Sequence, residues 1–555
     1  MNGGEIVARG LCANGIDTLF GIPGVQLDPI FAGLHDVQDD IRIIHARHEQ
    51  GVALMAFGYA HATGKVGAML VVPGPGFLNA TTGLLIGHAC NTPMLCLAGQ
   101  SERQFIGSGV GVLHELNNQI GIAESLTKWT RRVENTDELS SLLAKAIETA
   151  CQGRTRPVYL ELPSDIVRMD VSDTALTIAD CKADNPSFKE EDIDKLARDL
   201  ASAKLPLIIA GGGATGASES IQTLAEMLGA PVGMSENGMG TLDCRHPLAF
   251  TQLGANKLWA KADVVLGLGT RLYAPIYNWG WDDALYIVKV DIDEEELNRL
   301  PAPIAGIHGE CDEVARALIE KLPAYLDKPG DNTGIFTSVR NEVKNELAPL
   351  SQAGEILGSI RNIIGKEGIL VVDVTQLNHA CLELLPVYKP RTYVSSGYQG
   401  ALGFAPCTAM GMKVGKPDVP VVCLVGDGGF MYAAQELATA VQFDIPVVML
   451  IINDGGYKNV EGILNNAYEG RAIATTLTNP DFCKLAESFG VEAVTVTSNA
   501  EMENALEDYV SRNVPAVIDF QMQVSESPFW LRFLPQVRST IPANDFGLVK
   551  KQPKA

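Results

Sequence analysis

Residues Gly426 to Tyr457, GDGGFMYAAQELATAVQFDIPVVMLIINDGGY, constrain the fold of this chain more than any other stretch. PVVCLVG, just ahead of Asp427, is a short β-branched run that stops at glycine, the pattern of a strand buried in a parallel sheet. MYAAQELATAVQ follows with helical spacing, and PVVMLIIN is a second apolar strand that ends at Asn453-Asp454-Gly455-Gly456. Strand, helix, strand makes a βαβ unit, whose neighbouring parallel strands lie about 4.8 Å apart. Asp427 and Asp454 then stand at the carboxyl ends of adjacent strands, the place where open α/β sheets bind ligands. A hard cation such as Mg²⁺ needs oxygen ligands there and shares them with a diphosphate. The glycines behind each acid, Gly428, Gly429, Gly455 and Gly456, let backbone N–H groups approach phosphate oxygens. The plain alternative is a bare strand-to-helix turn with Asp427 as a helix cap.

GDGG followed by ND after a second strand resembles the thiamin-diphosphate motif GDG…NN. The resemblance implies Mg²⁺ ligation by Asp427, Asp454 and the backbone carbonyl of Gly456, with Gly428, Gly429 and Tyr457 at the cofactor. Asp454 stands where the family more often has Asn, which adds a negative charge beside a diphosphate. Arg47-His48-Glu49-Gln50 and the following GVALMAFGYAHATGK resemble the family's RHEQ segment and its helix. VVPGPGFLNATTGLL, NTPMLCLAGQ and RPVYLELPSDI continue the match. Glu49 is then the glutamate that hydrogen-bonds N1′ of the aminopyrimidine and promotes loss of the thiazolium C2 proton. Read alone, Glu49 is an acid in the first turn of a helix, favoured by the macrodipole.

SSGYQGALGFAPCTAMGMKVG, residues 395–415, resembles the segment that wedges the cofactor into a bent V. Leu402 is the wedge, and backbone groups around Gly400 and Leu402 meet the pyrimidine. VVDVTQLNH resembles a diphosphate-contacting turn in which Gln376 matches, although Leu377 replaces the family's His. The likeness runs over about residues 1–530 and is strongest to the acetolactate synthase-like group, with similarity also to benzaldehyde lyase and to oxalyl-CoA decarboxylase and 2-hydroxyacyl-CoA lyase. It implies an α/β protein of three Rossmann-like parallel-sheet domains: pyrimidine-binding (1–168), central (187–323) and diphosphate-binding (345–535), with a tail at 536–555. No internal repeat is evident, although the family's outer domains share a fold. Polar, aperiodic linkers at 169–187 and 323–335 agree with this division.

The 555 residues carry 43 basic and 66 acidic side chains, a net charge of −23, which argues against nucleic-acid or anionic-membrane partners. The 11 cysteines have no framework spacing, no apolar run is long enough to span a bilayer, and no signal peptide is visible, so a cytoplasmic protein with reduced thiols is expected. In the central domain, LPLIIAGGGA, ADVVLGLGTRL and ALYIVKVDID give a Rossmann-like strand order. The glycines 211–213 suit a dinucleotide such as FAD, but a purely structural domain is favoured.

Candidate substrate residues follow GIPG. Valine at 25 cannot relay a proton, whereas simple decarboxylases of the superfamily tend to carry Asp or Ser there. Gln26 stands where benzaldehyde lyase has an active-site His, and His114 where acetolactate synthases and that lyase have Gln. An imidazole at 114 is suited to acid–base work; a surface-loop histidine is the equal alternative. In TRLYAPIYNWGWDD only Arg271 matches the charged acceptor-recognition segment of biosynthetic acetolactate synthases. Tyr273, Tyr277, Trp279 and Trp281 either line an apolar channel or pack a loop, and SESPFWLRFLP is either a lid or a packed tail. The expected activity is ThDP- and Mg²⁺-dependent C–C lyase or carboligase chemistry on a 2-oxo acid or 2-hydroxy ketone. An acyl-CoA lyase or decarboxylase, or a non-enzymatic ThDP-fold binding protein, is the alternative. In the family Glu49 serves from one subunit, and Asp427 with Leu402 from another, so at least a homodimer, with a homotetramer favoured, is expected.

Overall fold

The computed structural model describes residues 1–171, 175–182, 185–299, 304–524 and 527–539. Apolar runs bounded by glycine and proline become strands, and the stretches between them become the crossover helices that parallel pairing requires. The first sheet holds β1 (Thr18–Gly21), β2 (Arg42–His45), β3 (Gly67–Val71), β4 (Met94–Gln100), β5 (Trp129–Arg132) and β6 (Val158–Pro163), in the order β2-β1-β3-β4-β6-β5. The second holds β7 (Pro206–Ala210), β8 (Val232–Met234), β9 (Ala249–Phe250), β10 (Val264–Leu268), β11 (Tyr286–Asp291) and β12 (Ala305–His308), in the order β12-β11-β10-β7-β8-β9. The third holds β13 (Ile369–Val372), β14 (Tyr393–Val394), β15 (Val421–Gly426), β16 (Val448–Asn453), β17 (Glu492–Val496) and β18 (Ala516–Gln521), in the order β14-β13-β15-β16-β18-β17. The strands pair in parallel throughout the first two sheets and from β13 to β17 in the third. Counted within each sheet, the outer two share the order 2-1-3-4-6-5, while the middle one reads 3-2-1-4-5-6, the dinucleotide-fold order. The outer domains therefore repeat one topology with no repeat visible in the residues.

One expected element differs. The turn after β15 is already helical, Asp427–Phe430, and the stretch read as a single helix divides into Ala434–Glu436 and Leu437–Gln442. Apolar spacing runs on through Met431 and Tyr432, which hides the break, yet those side chains are 45% and 51% exposed.

The chain forms two compact units. The first comprises residues 1–184, 369–374 and 395–522, so it contains both outer sheets apart from β14. Its centre is a crossing of the helices Glu49–Thr63 and Phe404–Gly415. A Cβ on Gly411 would lie 2.0 Å from the Met55 carbonyl oxygen, and one on Gly58 would lie 2.2 Å from that of Thr408. Phe57 and Phe404 close the contact edge to face at 5.5 Å.

The second unit comprises 185–368, 375–394 and 523–555. Buried Arg361 donates to the carbonyls of Gly365 (3.1 Å), Gly368 (2.7 Å) and Thr392 (3.2 Å), satisfying acceptors beyond its helix. Trp279 and Trp281 are 4% and 2% exposed within this unit's core, so they pack the loop and line no channel. Leu531 and Leu534 join the same core, and Arg532 pairs with Glu236 at 2.9 Å and donates to His379 at 3.0 Å. Within 527–535, Pro528, Leu531 and Leu534 pack into this unit while Trp530 and Phe533 stay 40% and 69% exposed; Ser525 and Glu526, and residues 540–555 of the expected tail, lie outside the described residues. Gly211 and Gly213 abut Gly269 of the turn after β10, where a Cβ would come within 2.3 and 2.9 Å, which gives those glycines a packing role. Among the described residues no disulfide is formed, and no helix is long and apolar enough to cross a membrane.

Gly411→Val should cost about 1–3 kcal/mol by overpacking the helix crossing. Gly358→Ala, in a helix with nothing within 4 Å of the new Cβ, should instead stabilise the protein by about 0.5–1 kcal/mol. Urea denaturation monitored by circular dichroism measures both; equal effects would refute the close crossing.

Candidate active site

The third sheet carries one set of candidate residues. β15 and β16 are adjacent with Gly426 opposite Ile452, so the residues that follow, Asp427 and Asn453-Asp454, end side by side. Asp427 is 2% exposed, and its carboxylate accepts the Gly428 N–H at 2.9 Å and the Asn479 amide at 2.6 Å. Asn453 turns into the sheet, donating to Asp519 at 2.8 Å and accepting from Asn479 at 3.3 Å. Asp454 is left at the edge. Burial, then the neighbouring Asp427 charge, pushes its carboxyl up to about 7, against the opposing pull of Lys458 and the Gly456 N–H. Leu477 N–H to the Gly455 carbonyl (3.0 Å) and Tyr457 N–H to the Thr475 carbonyl (2.8 Å) flank Gly456, whose own carbonyl therefore points away from that pair.

The two glycines behind Asp427 are needed for packing. A Cβ on Gly428 would lie 2.5 Å from the Tyr457 ring, and one on Gly429 2.4 Å from an Asp373 oxygen. Asp373, at the end of β13, is 1% exposed and accepts the N–H groups of Gly403 (2.8 Å) and Ala405 (3.0 Å), while burial raises its pKa to about 7. It thereby holds the turn that carries half-buried Leu402. Gly400 and Gly403 give that turn its left-handed residues, with φ of 56° and 74°. Gln376 begins the helix Gln376–Leu384, capped by the Thr375 hydroxyl, and belongs to the second unit.

The first sheet carries the other set of candidate residues. Glu49 opens its helix behind His48, whose Nδ1 accepts the Gln50 N–H at 3.2 Å. One Glu49 oxygen accepts from Asn79 at 2.9 Å, and the other lies 3.2 Å from where a Gly76 Cβ would be. Gly74, with φ of 59°, starts that turn, and its N–H is held by Gln119 at 2.8 Å. Gln119 belongs to a buried network in which Gln100, Tyr159, Gln119 and Arg132 all donate to Glu161, a fully buried carboxylate.

Gln26 and His114 come together: the Gln26 amide nitrogen donates to the Leu113 carbonyl at 3.0 Å, and its oxygen meets His114 Nδ1 at 3.2 Å. His114 has a φ of 63°, rare for a residue with a β-carbon. Its carbonyl oxygen sits 2.6 Å from where a Gly74 Cβ would be. Val25 beside them is 59% exposed. No hydrogen bond joins Glu49 to the Asp427 turn among the described residues.

Asn79, Asp373, Glu436 and Asn479 were not singled out in the sequence. Asp373 carries the same signal as Asp427, an acid ending an apolar strand; Asn479, in TLTNPDF, carries none. Among the described residues no three His, Cys, Asp or Glu side chains gather at one point. Crowded Asp427 and Asp454, with an outward carbonyl at Gly456, nevertheless suit a hard dication that completes its shell with non-protein oxygens. A cavity of about 370 Å³ in the second unit, lined by Leu200, Leu228, Leu326 and Pro329 among others, contains none of these groups.

Three family models match in order along the chain: the thiamine pyrophosphate enzyme N-terminal TPP binding domain over residues 1–122, the central domain over 193–318, and the C-terminal TPP binding domain over 373–520. A probable acetolactate synthase large subunit of Methanococcus aeolicus is 30% identical over 95% of this chain and 93% of its own length. A probable 2-ketoarginine decarboxylase of Pseudomonas aeruginosa is 31% identical over 88% of each. The acetolactate synthase isozyme 2 large subunit of Escherichia coli K12 is 27% identical over 95% of this chain and 96% of its own. By three matched domains in order and by full-length likeness, the chain belongs to the thiamine pyrophosphate enzymes, as an acetolactate synthase-like member catalysing carboligation or decarboxylation.

Proposed function

We propose that this enzyme works with Mg²⁺ and acts on a 2-oxo acid or 2-hydroxy ketone. The observation that carries the metal assignment is the pair of acids at adjacent strand ends, Asp427 and Asp454, with the Gly456 carbonyl beside them. These three groups would hold the cation and, through it, the diphosphate; Gly428, Gly429 and Tyr457 shape the same turn. Leu402, on the turn fixed by Asp373, would support the cofactor's rings, with backbone contacts around Gly400. Bound thiamin diphosphate supplies a carbon nucleophile for a carbonyl substrate. Glu49 holds a proton at the cofactor's pyrimidine, and the Asn79 amide orients its carboxylate.

On the substrate side, the Leu113 carbonyl can only accept, so the Gln26 amide must present nitrogen to it and oxygen to His114. His114 then carries its proton on Nδ1, and Nε2 is the nitrogen that receives or returns a proton at substrate. Valine at 25 adds an apolar wall. The 2-ketoarginine decarboxylase relative favours a 2-oxo acid as donor, by its name. The middle domain keeps its glycines for packing, and we assign it no flavin.

A second copy of the chain is also proposed. The helix Lys458–Ala467 after the Asp454 turn buries none of its residues. Val460 (50%), Tyr468 (57%) and Ile473 (81%) stay exposed, together with Tyr432, which supports a homodimer at least, with a homotetramer favoured.

Asp427→Ala should weaken Mg²⁺-dependent cofactor binding by more than the roughly 100-fold that even an outer-shell partner is worth. Asp454→Asn should keep or tighten it, because it removes like charge. Calorimetric titration decides, and abolished binding in Asp454→Asn would refute the ligand assignment.

A panel of 2-oxo acids, acyloins and acyl-CoA thioesters, assayed with thiamin diphosphate and Mg²⁺, should yield turnover with the first two classes. Turnover of the thioesters alone would move the enzyme to the acyl-CoA lyase class.

Mixing inactive Glu49→Gln with inactive Asp427→Ala protein should restore activity if each site takes Glu49 from one chain and Asp427 from the other. No recovery despite mass-spectrometric proof of subunit exchange would refute a shared site.

A further inference from the structure

Glu436 is fully buried in the third-sheet domain, on the turn Ala434–Glu436 that follows the Asp427 helix. Its carboxylate reaches into the first-sheet domain, where one oxygen accepts the backbone N–H groups of Arg47 and His48, each at 3.0 Å. The other oxygen lies 3.1 Å from the Arg47 N–H and accepts the Thr439 hydroxyl at 2.6 Å. Arg47 and His48 are the two residues immediately before Glu49. Burial raises the Glu436 pKa, and these donors oppose the rise. Gly51, one turn into the same helix, leaves the room: a Cβ there would stand 2.8 Å from a Glu436 oxygen. Around this point the Arg47 guanidinium donates to Gln442 at 2.9 Å and that of Arg42 to the Phe443 carbonyl at 3.1 Å. A buried carboxylate with three donors is a rigid fixture, because losing any donor leaves an unsatisfied group.

We infer that Glu436 is a positioning residue for Glu49: by clamping the backbone just ahead of it, Glu436 sets where the Glu49 carboxylate stands. The inference rests on the assignment of Glu49 to the cofactor's pyrimidine. The clamp also ties the start of the Glu49 helix to the turn that follows the Asp427 helix in the same chain. The Glu49 side chain itself is untouched by Glu436, so the clamp acts on placement and leaves the diphosphate anchor alone.

The test uses the full chain with thiamin diphosphate and Mg²⁺ as probes, measuring deuterium exchange at the cofactor's C2 by acid-quench NMR and cofactor affinity by calorimetry. Backbone amide exchange over residues 47–48 is measured without cofactor. Glu436→Ala should slow C2 exchange about 10²-fold, the scale of an ångström-sized misplacement, with cofactor affinity unchanged and amide exchange at 47–48 accelerated. Glu436→Gln, which keeps an oxygen for both N–H groups, should restore both readouts. Gly51→Ala pushes the carboxylate aside without removing it and should also slow C2 exchange; it decides the matter if Glu436→Ala does not fold. Glu49→Gln separates the two assignments. Unchanged C2 exchange in Glu49→Gln would sink the role of Glu49 itself. Slowed exchange there, with wild-type exchange in Glu436→Ala and Gly51→Ala, would overturn the inference about Glu436 alone. Loss of cofactor binding together with C2 exchange in Glu436→Ala or Gly51→Ala would overturn it as well, because the residue would then serve the diphosphate turn.

Discussion

Two helices without side chains at their meeting point hold the outer domains together. Gly58 and Gly411 bring the backbones of Glu49–Thr63 and Phe404–Gly415 into direct contact, and any β-carbon at either position would overlap a carbonyl of the other helix. Both helices are buried along most of their length, so they read as apolar all round, as helices enclosed on every side do. The crossing bears on the proposed chemistry because each helix begins at a candidate site residue: Glu49 starts the first, and the Leu402 turn leads into the second. A rigid crossing makes these two starts parts of one body.

Electrostatics at the two halves differ in kind. In the first-sheet half, Glu161 is buried but answered by Arg132 and three neutral donors, and the network passes through Gln119 to the turn beneath Glu49. Such a network is satisfied within the protein and stiffens what it touches. In the third-sheet half, Asp427 and Asp454 face each other with Lys458 as the nearby cation, itself paired to Glu461 at 2.8 Å. That half is left with an excess of negative charge, which the proposed dication would reverse.

Much of this was readable from residues, for identifiable reasons. β15 and β16 were legible because β-branched runs ended at Gly426 and Asn453, and acids after such runs mark strand ends. The helix start at Glu49 was legible because a long apolar run follows RHEQ. The shared strand order of the outer sheets was not, because topology leaves no periodicity in the residues. Glu436 sits in an apolar stretch spaced like one continuous helix, so its inward turn is invisible until the helix is seen to break. Asn479 reaches Asp427 from a loop 52 positions away, a contact no local pattern encodes. Trp279 and Trp281 allowed two readings, and only packing against Leu531 and Leu534 separates them.

The shared strand order has a further consequence. The helix Glu49–Thr63 follows the second strand of its sheet, and Phe404–Gly415 follows the second strand of the other. Like therefore meets like at the crossing, each with a glycine at the contact, as equivalent patches meet in an isologous interface between identical subunits. The seam has the form of a homodimer contact enclosed in one polypeptide. From that standpoint Glu49 and Asp427 mark where the symmetry breaks: one topology occurs twice, and its two occurrences carry different candidate residues.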